Sequence, residues 1–146
     1  MFFNWRFANE DEREFAYSHD EEVDKETCCV GHLRVTMTDD DWFTRWENHC
    51  PGLNTDEFRS EFNDVVNDLR REKEMDCVLK DFDAVRNFCW KHRANKEARD
   101  EEGLYYLRLD TNFYSYIVRL TPMRGYYPAY IYCYEKKPLD NYLSKK

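Results

Sequence analysis

Residues 104–134 read LYYLRLDTNFYSYIVRLTPMRGYYPAYIYCY, and this stretch leaves the chain few ways to fold. It breaks into three apolar, tyrosine-rich runs at 104–109, 113–120 and 129–134. Asp110, Thr111 and Asn112 part the first two runs. Pro122, Met123, Arg124 and Gly125, followed by Pro128, part the last two. β-Branched and aromatic residues bounded by Asp, Asn, Gly and Pro form strands joined by hairpin loops. In the last run Ala129, Ile131 and Cys133 alternate with Tyr130, Tyr132 and Tyr134, so small apolar residues take one face of the strand and tyrosines the other. The expectation is an antiparallel meander over 104–134 with one greasy face and one tyrosine face.

The preceding residues supply two further strands and the helices to cover them. Phe2, Phe3, Trp5 and Phe7 predict a short first strand. Asn9 with Glu12 three residues on offers a helix cap ahead of Phe15 and Ala16. The acidic, aperiodic stretch 18–26 reads as a solvated loop. Cys28, Cys29, Val30, Leu33, Val35 and Met37 predict a second strand, with Gly31 at a bulge. Thr38 and Asp41 form a capping box before a helix carrying Trp42, Phe43 and Trp46, which Pro51 and Gly52 end. Asn54 and Glu57 cap the strongest helix, where Phe58, Phe62, Val65, Val66 and Leu69 fall on one stripe of a 3.6-residue period. A third helix is expected over 81–101, with Phe82, Val85, Phe88 and Cys89 inward, stopped by Gly103. The predicted fold is α+β: an antiparallel sheet of about five strands in the order β-β-α-α-α-β-β-β, with helices packed on one face. Residues 1–146 form a single domain in this reading, with 1–26 as an acidic N-terminal segment inside it.

Charge is unevenly spread. Residues 1–102 carry 27 Asp and Glu against 15 Lys and Arg, whereas 103–146 carry 3 against 7, for a net charge of −8. An acidic body disfavours phosphate backbones and anionic membranes and favours basic partners. No stretch approaches the roughly 20 apolar residues of a membrane helix. Residues 1–6 lack the basic start and long apolar run of an export signal, so the six cysteines are expected as reduced thiols.

Chemistry-bearing motifs are few. Cys29 with His32, and Cys89 with His92, have the spacing of zinc-ligand pairs. Positions i and i+3 on a strand point to opposite faces, however, and Cys89 continues a buried helical stripe, so core thiols are the expected role. Asp39, Asp40 and Asp41 could hold Mg²⁺ in a metal-dependent nuclease, but three acids opening a helix are accounted for by its dipole. No glycine-rich phosphate loop, nucleophile elbow or H-E-x-x-H motif occurs, and no catalytic residue, metal or cofactor is assigned.

Two binding surfaces remain. Glu10, Asp11, Glu12, Glu14, Asp20, Glu21, Glu22 and Asp24, with Asp39 and Asp40 and the aromatic Trp42, make an acidic surface suited to a basic, nucleic-acid-binding protein. Alternatively Tyr114, Tyr116, Tyr130, Tyr132 and Tyr134, with Arg108, Arg119 and Arg124, make a stacking platform for single-stranded nucleic acid.

Several segments also carry a likeness: Gly31-His32-Leu33-Arg34, Asp41-Trp42-Phe43-Thr44-Arg45-Trp46, the helix stretch 58–67, Arg119-Leu120-Thr121-Pro122-Met123-Arg124-Gly125 and Tyr130-Ile131-Tyr132-Cys133-Tyr134. Together they resemble a family of small uncharacterised proteins carried on conjugative elements and phages of gut Firmicutes. The resemblance implies a bacterial cytoplasm and a mobile element whose accessory genes often counter host defences. On that footing the leading expectation is a non-enzymatic inhibitor of a host defence nuclease, of anti-CRISPR or anti-restriction type. A single-strand-binding accessory protein is the alternative.

Overall fold

The computed structural model describes residues 4–17, 26–37, 41–71 and 78–145. The period-two runs become β4 (Tyr105–Asp110), β5 (Tyr114–Leu120) and β6 (Ala129–Glu135). They are joined by β1 (Trp5–Phe7), β2 (Cys29–Val35) and β3 (Trp46–Asn48). The resulting sheet has six strands in the order β1-β4-β5-β6-β2-β3, every neighbouring pair antiparallel. Both outer strands, β1 and β3, are only three residues long.

Among the described residues four α-helices accompany the sheet: α1 (Glu10–Tyr17), α2 (Asp56–Arg70), α3 (Phe82–Lys91) and α4 (Lys136–Ser144). The α+β class and the antiparallel meander are as the sequence predicts. The sixth strand comes from Trp46. The capped helix expected around Trp42, Phe43 and Trp46 shrinks to one 3₁₀ turn, Trp42–Arg45. Trp46 then opens β3, paired opposite Leu33, because that register buries its ring against Phe58 and Phe62. Thr38 and residues 18–25, together with Phe2 and Phe3, lie outside the described residues.

The capping residues show how local chemistry sets the boundaries. Asn9 and Glu12 form a reciprocal box. The Glu12 N–H donates to Asn9 Oδ1 at 2.9 Å and the Asn9 N–H donates to Glu12 Oε1 at 2.8 Å. For α2 the cap is Thr55, not Asn54: its Oγ1 accepts the Phe58 N–H at 3.2 Å, while Asn54 closes the 3₁₀ turn Pro51–Leu53. The third helix is shorter than 81–101 and gives way to a turn and the 3₁₀ segment Lys96–Ala98.

The apolar stripe of α2, namely Phe58, Phe62, Val65, Val66 and Leu69, packs with Val85, Phe88 and Cys89 of α3 on one sheet face. That face presents Leu33, Leu107, Tyr116, Val118, Ile131 and Cys133. Helices on one face only would leave the alternate residues Tyr106, Ile117, Tyr132 and Tyr134 in water. Phe15 and Ala16 of α1 and Leu139 of α4 cover them instead, so helices lie on both faces. One guanidinium ties these two helices down. Arg108, 3% exposed on β4, donates to Glu12 of α1 and to Asp140 of α4 at 2.8 Å, with Asp110 (2.9 Å) and Ser115 (3.1 Å) completing its shell. No helix among the described residues is long and apolar enough to cross a membrane.

Candidate functional site

Strand register lines up side chains in rows across the sheet face that carries α1 and α4. One row runs Asp110, Ser115, Tyr134, Cys29 and lies under the two helices. The next runs Arg6, Arg108, Ile117, Tyr132, His32, Glu47 from one edge to the other. A third runs Tyr106, Arg119, Tyr130, Arg34. This last row reaches the floor of an open cleft of about 1070 Å³, whose lining includes Tyr17, Leu104, Arg119, Tyr126, Tyr127 and Tyr130.

The cleft is aromatic and cationic at its base. The Arg119 guanidinium lies 4.3 Å from the Tyr130 ring centre, and Arg34 lies 5.7 Å from that of Tyr127. Tyr130 stacks on Tyr132 with planes 11° apart and meets Tyr127 edge-on at 5.9 Å. The Nε of Arg119 is buried without a hydrogen-bond partner among the described residues. Tyr126 and Tyr127 stand 67% and 42% exposed, an unusual outlay of apolar area for a hairpin loop. Tyr17 donates its phenol proton to Glu102 at 3.2 Å, and that carboxylate raises the Tyr17 pKa. Tyr17 and Glu102 also line a second depression of about 660 Å³, together with Glu10, Arg13, Glu14, Lys96, Arg99, Asp100 and Glu101. The tyrosine cleft is therefore continuous with a carboxylate-rich flank.

Of the predicted acidic surface, Glu10, Asp11, Glu12, Glu14 and Trp42 fall among the described residues. Glu10, Asp11 and Glu14 are exposed on α1. Glu12 is withdrawn from it: burial would raise its carboxyl, but hydrogen bonds from Arg6 and the Asn9 N–H, and the charge of Arg108, lower its pKa to about 2. Trp42 is 7% exposed and sits beneath the guanidinium groups of Arg45 and Arg70, so it offers no contact area. Asp20, Glu21, Glu22, Asp24, Asp39 and Asp40 lie outside the described residues.

The five-tyrosine platform does not form as one surface. Tyr114 and Tyr116 face α2, where Tyr116 donates to Glu61 at 2.8 Å, because odd and even positions of β5 point to opposite faces. Tyr134 is fully buried under α1 against Phe15, Tyr132 is 3% exposed, and Arg108 is consumed by its ion pairs. Tyr130 and Arg119 remain on the cleft floor, and Arg124 is exposed in the β5–β6 loop. The additions are Tyr17, Tyr126, Tyr127 and Arg34. Adjacent tyrosines between Gly125 and Pro128, where a turn has no need of them, were the visible signal.

Neither Cys-x-x-His pair forms a ligand set. Cys89 is buried among core side chains, which pushes its thiol up to about 12, and His92 packs between Phe7 and Phe88. Cys29 is fully buried, with its thiol on the Gly31 carbonyl. His32 turns to other partners: Nδ1 lies 2.9 Å from His49 Nε2, and Nε2 lies 3.1 Å from Glu47 Oε2. Glu47 also accepts from Arg34 at 2.6 Å, and that hydrogen bond lowers its pKa. A scan against protein-family models finds no match, and searches of curated proteins and of solved structures find none either.

Proposed function

We propose that the chain is a non-catalytic binding protein of a mobile element, and that it inhibits a basic host defence nuclease by docking on it. One observation carries this reading: the exposed tyrosine cleft shares Tyr17 and Glu102 with a neighbouring depression where Glu10, Glu14, Asp100, Glu101 and Glu102 outnumber Arg13, Lys96 and Arg99. Tyrosine and arginine at the centre of a contact, ringed by polar groups, is the composition of a protein-binding hot spot. Carboxylates at its rim steer a cationic partner, and a net charge of −8 adds to that field. The resemblance to mobile-element proteins points the same way, toward a nuclease as the basic partner.

The test is cleavage of DNA by a panel of purified CRISPR and restriction nucleases with and without the protein. At least one should be inhibited, and inhibition should weaken as salt rises. Tyr127→Ser should weaken it about tenfold or more, the loss of one hot-spot residue. A panel left fully active, or an inhibition indifferent to both salt and Tyr127, rejects the proposal. A second reading is favoured by Tyr130 and Arg119 on the cleft floor, the guanidinium 4.3 Å from the ring centre, an aromatic and cationic pair of the kind that meets unstacked bases. A low-salt gel shift with single-stranded oligonucleotides separates the two, since the inhibitor gives no shift.

A further inference from the structure

Independently of the cleft, we infer that His32, Glu47 and His49 form a binding site for a divalent metal ion of the zinc class. Strand pairing builds it. His32 on β2 sits directly opposite Glu47 on β3, so these two side chains leave the same face of the sheet, and His49, in the bend just past β3, brings its Nε2 to 2.9 Å from His32 Nδ1. One ligand atom from each lies within 4.8 Å of the other two.

The closest pair is already near metal-binding distance. Zinc–nitrogen bonds of about 2.0–2.1 Å at tetrahedral angles set neighbouring nitrogens roughly 3.3 Å apart. His32 Nδ1 and His49 Nε2 stand 2.9 Å apart, so a proton now shared between the rings can be replaced by an ion after a shift of a few tenths of an ångström. Glu47 must swing to join them, and its side chain, 48% exposed on a short edge strand, has the room. Its other oxygen is held by Arg34, the kind of outer contact that orients a ligating carboxylate.

Two imidazoles and one carboxylate are a borderline set that suits Zn²⁺, Co²⁺ or Ni²⁺ and disfavours Mg²⁺ and Ca²⁺, which prefer oxygen. Three protein ligands leave a position for water or for a side chain of a partner. The spacing of His32 from His49 gives no sequence motif. Only the β2–β3 register brings them together, whereas Cys29 with His32 and Cys89 with His92 have short spacings that show in the sequence.

The decisive experiment is titration of the chelator-treated protein with Zn²⁺ by calorimetry and with Co²⁺ by visible absorption. One ion should bind per chain, with ligand-field bands and no thiolate-to-cobalt charge transfer. His49→Gln, which alters a bend residue outside the core, should weaken binding about tenfold or more, and Glu47→Gln should weaken it as well. Circular dichroism confirms that each variant is folded, and Zn²⁺ should raise the melting temperature of the parent but not of His49→Gln. Cys50→Ser, beside His49, and Cys28→Ser test whether a thiol takes part and should bind as the parent does. Absence of binding, unchanged affinity in folded His49→Gln, or loss of binding in either cysteine variant overturns the assignment.

Discussion

Arg108 is the residue on which two helices converge, and its chemistry explains why an arginine stands mid-strand between Leu107 and Leu109. Its guanidinium meets Glu12, Asp110, Asp140 and Ser115, so each nitrogen of the planar fork finds an acceptor. Removing one partner of a buried ion pair strands the other charge, and Arg108→Ala is expected to cost about 3–5 kcal/mol in denaturant unfolding. The same cluster dictates a pH response. The Glu12 carboxyl titrates at about 2 in the folded chain and near 4.3 in an unfolded one, so its contribution is complete above about pH 5 and is lost as pH falls toward 2. Stability measured over that window should drop in the parent protein and drop somewhat less in Arg108→Ala, which loses the Arg108 share of the interaction while Arg6 and the Asn9 N–H still hold the carboxylate. A parent stability that stays flat down to pH 2 contradicts this account. The sequence hid the cluster because Arg108 and Asp140 are distant along the chain from each other and from Arg6 and Glu12, and the arginine read as a member of a tyrosine platform.

Among elements, the meander was the most legible, since turn residues bracket each run and alternation assigns both faces. The α2 stripe was equally plain. What local pattern could not decide was Trp42, Phe43 and Trp46: their spacing fits a helix, but it also fits a 3₁₀ turn leading into a strand, and the pairing of Trp46 with Leu33 chose the latter. Helix α4 was missed because Lys136, Lys137 and Pro138 look like a polar tail. Proline is tolerated there because first-turn N–H groups have no intrahelical acceptor. Gly31 was read correctly as a bulge, and the reason is now visible. An added Cβ would meet the Glu47 carbonyl and stand 2.6 Å from the Trp46 ring. Gly31→Ala should therefore loosen β3 from β2 and destabilise the fold by about 1–3 kcal/mol, the range for overpacking. Thermal melting checks the size, and faster amide exchange confined to β2 and β3 checks the place. A neutral substitution would mean that Trp46 moves aside freely.

For the whole molecule, the buried core and the exposed tyrosine cleft occupy different parts of the sheet. Phe62 is fully buried among Phe43, Trp46 and Phe58, so Phe62→Asp should abolish cooperative unfolding. Exposed Tyr127→Ser should stay within about 0.5 kcal/mol of the parent. If both variants unfold alike, the cleft is part of the core and its tyrosines are structural. Fold class was readable because every helix and strand must bury one side, whereas the cleft arises where a hairpin loop, α1 and a turn after the 3₁₀ segment meet, a convergence that no single segment encodes. The border of the sheet has its own consequence. A ribbon this rich in tyrosine and β-branched residues would, with long outer strands, offer unpaired amides as a seed for fibrils. At three residues on either margin, β1 and β3 give an incoming copy too little to grip, and the shared negative charge repels it before contact.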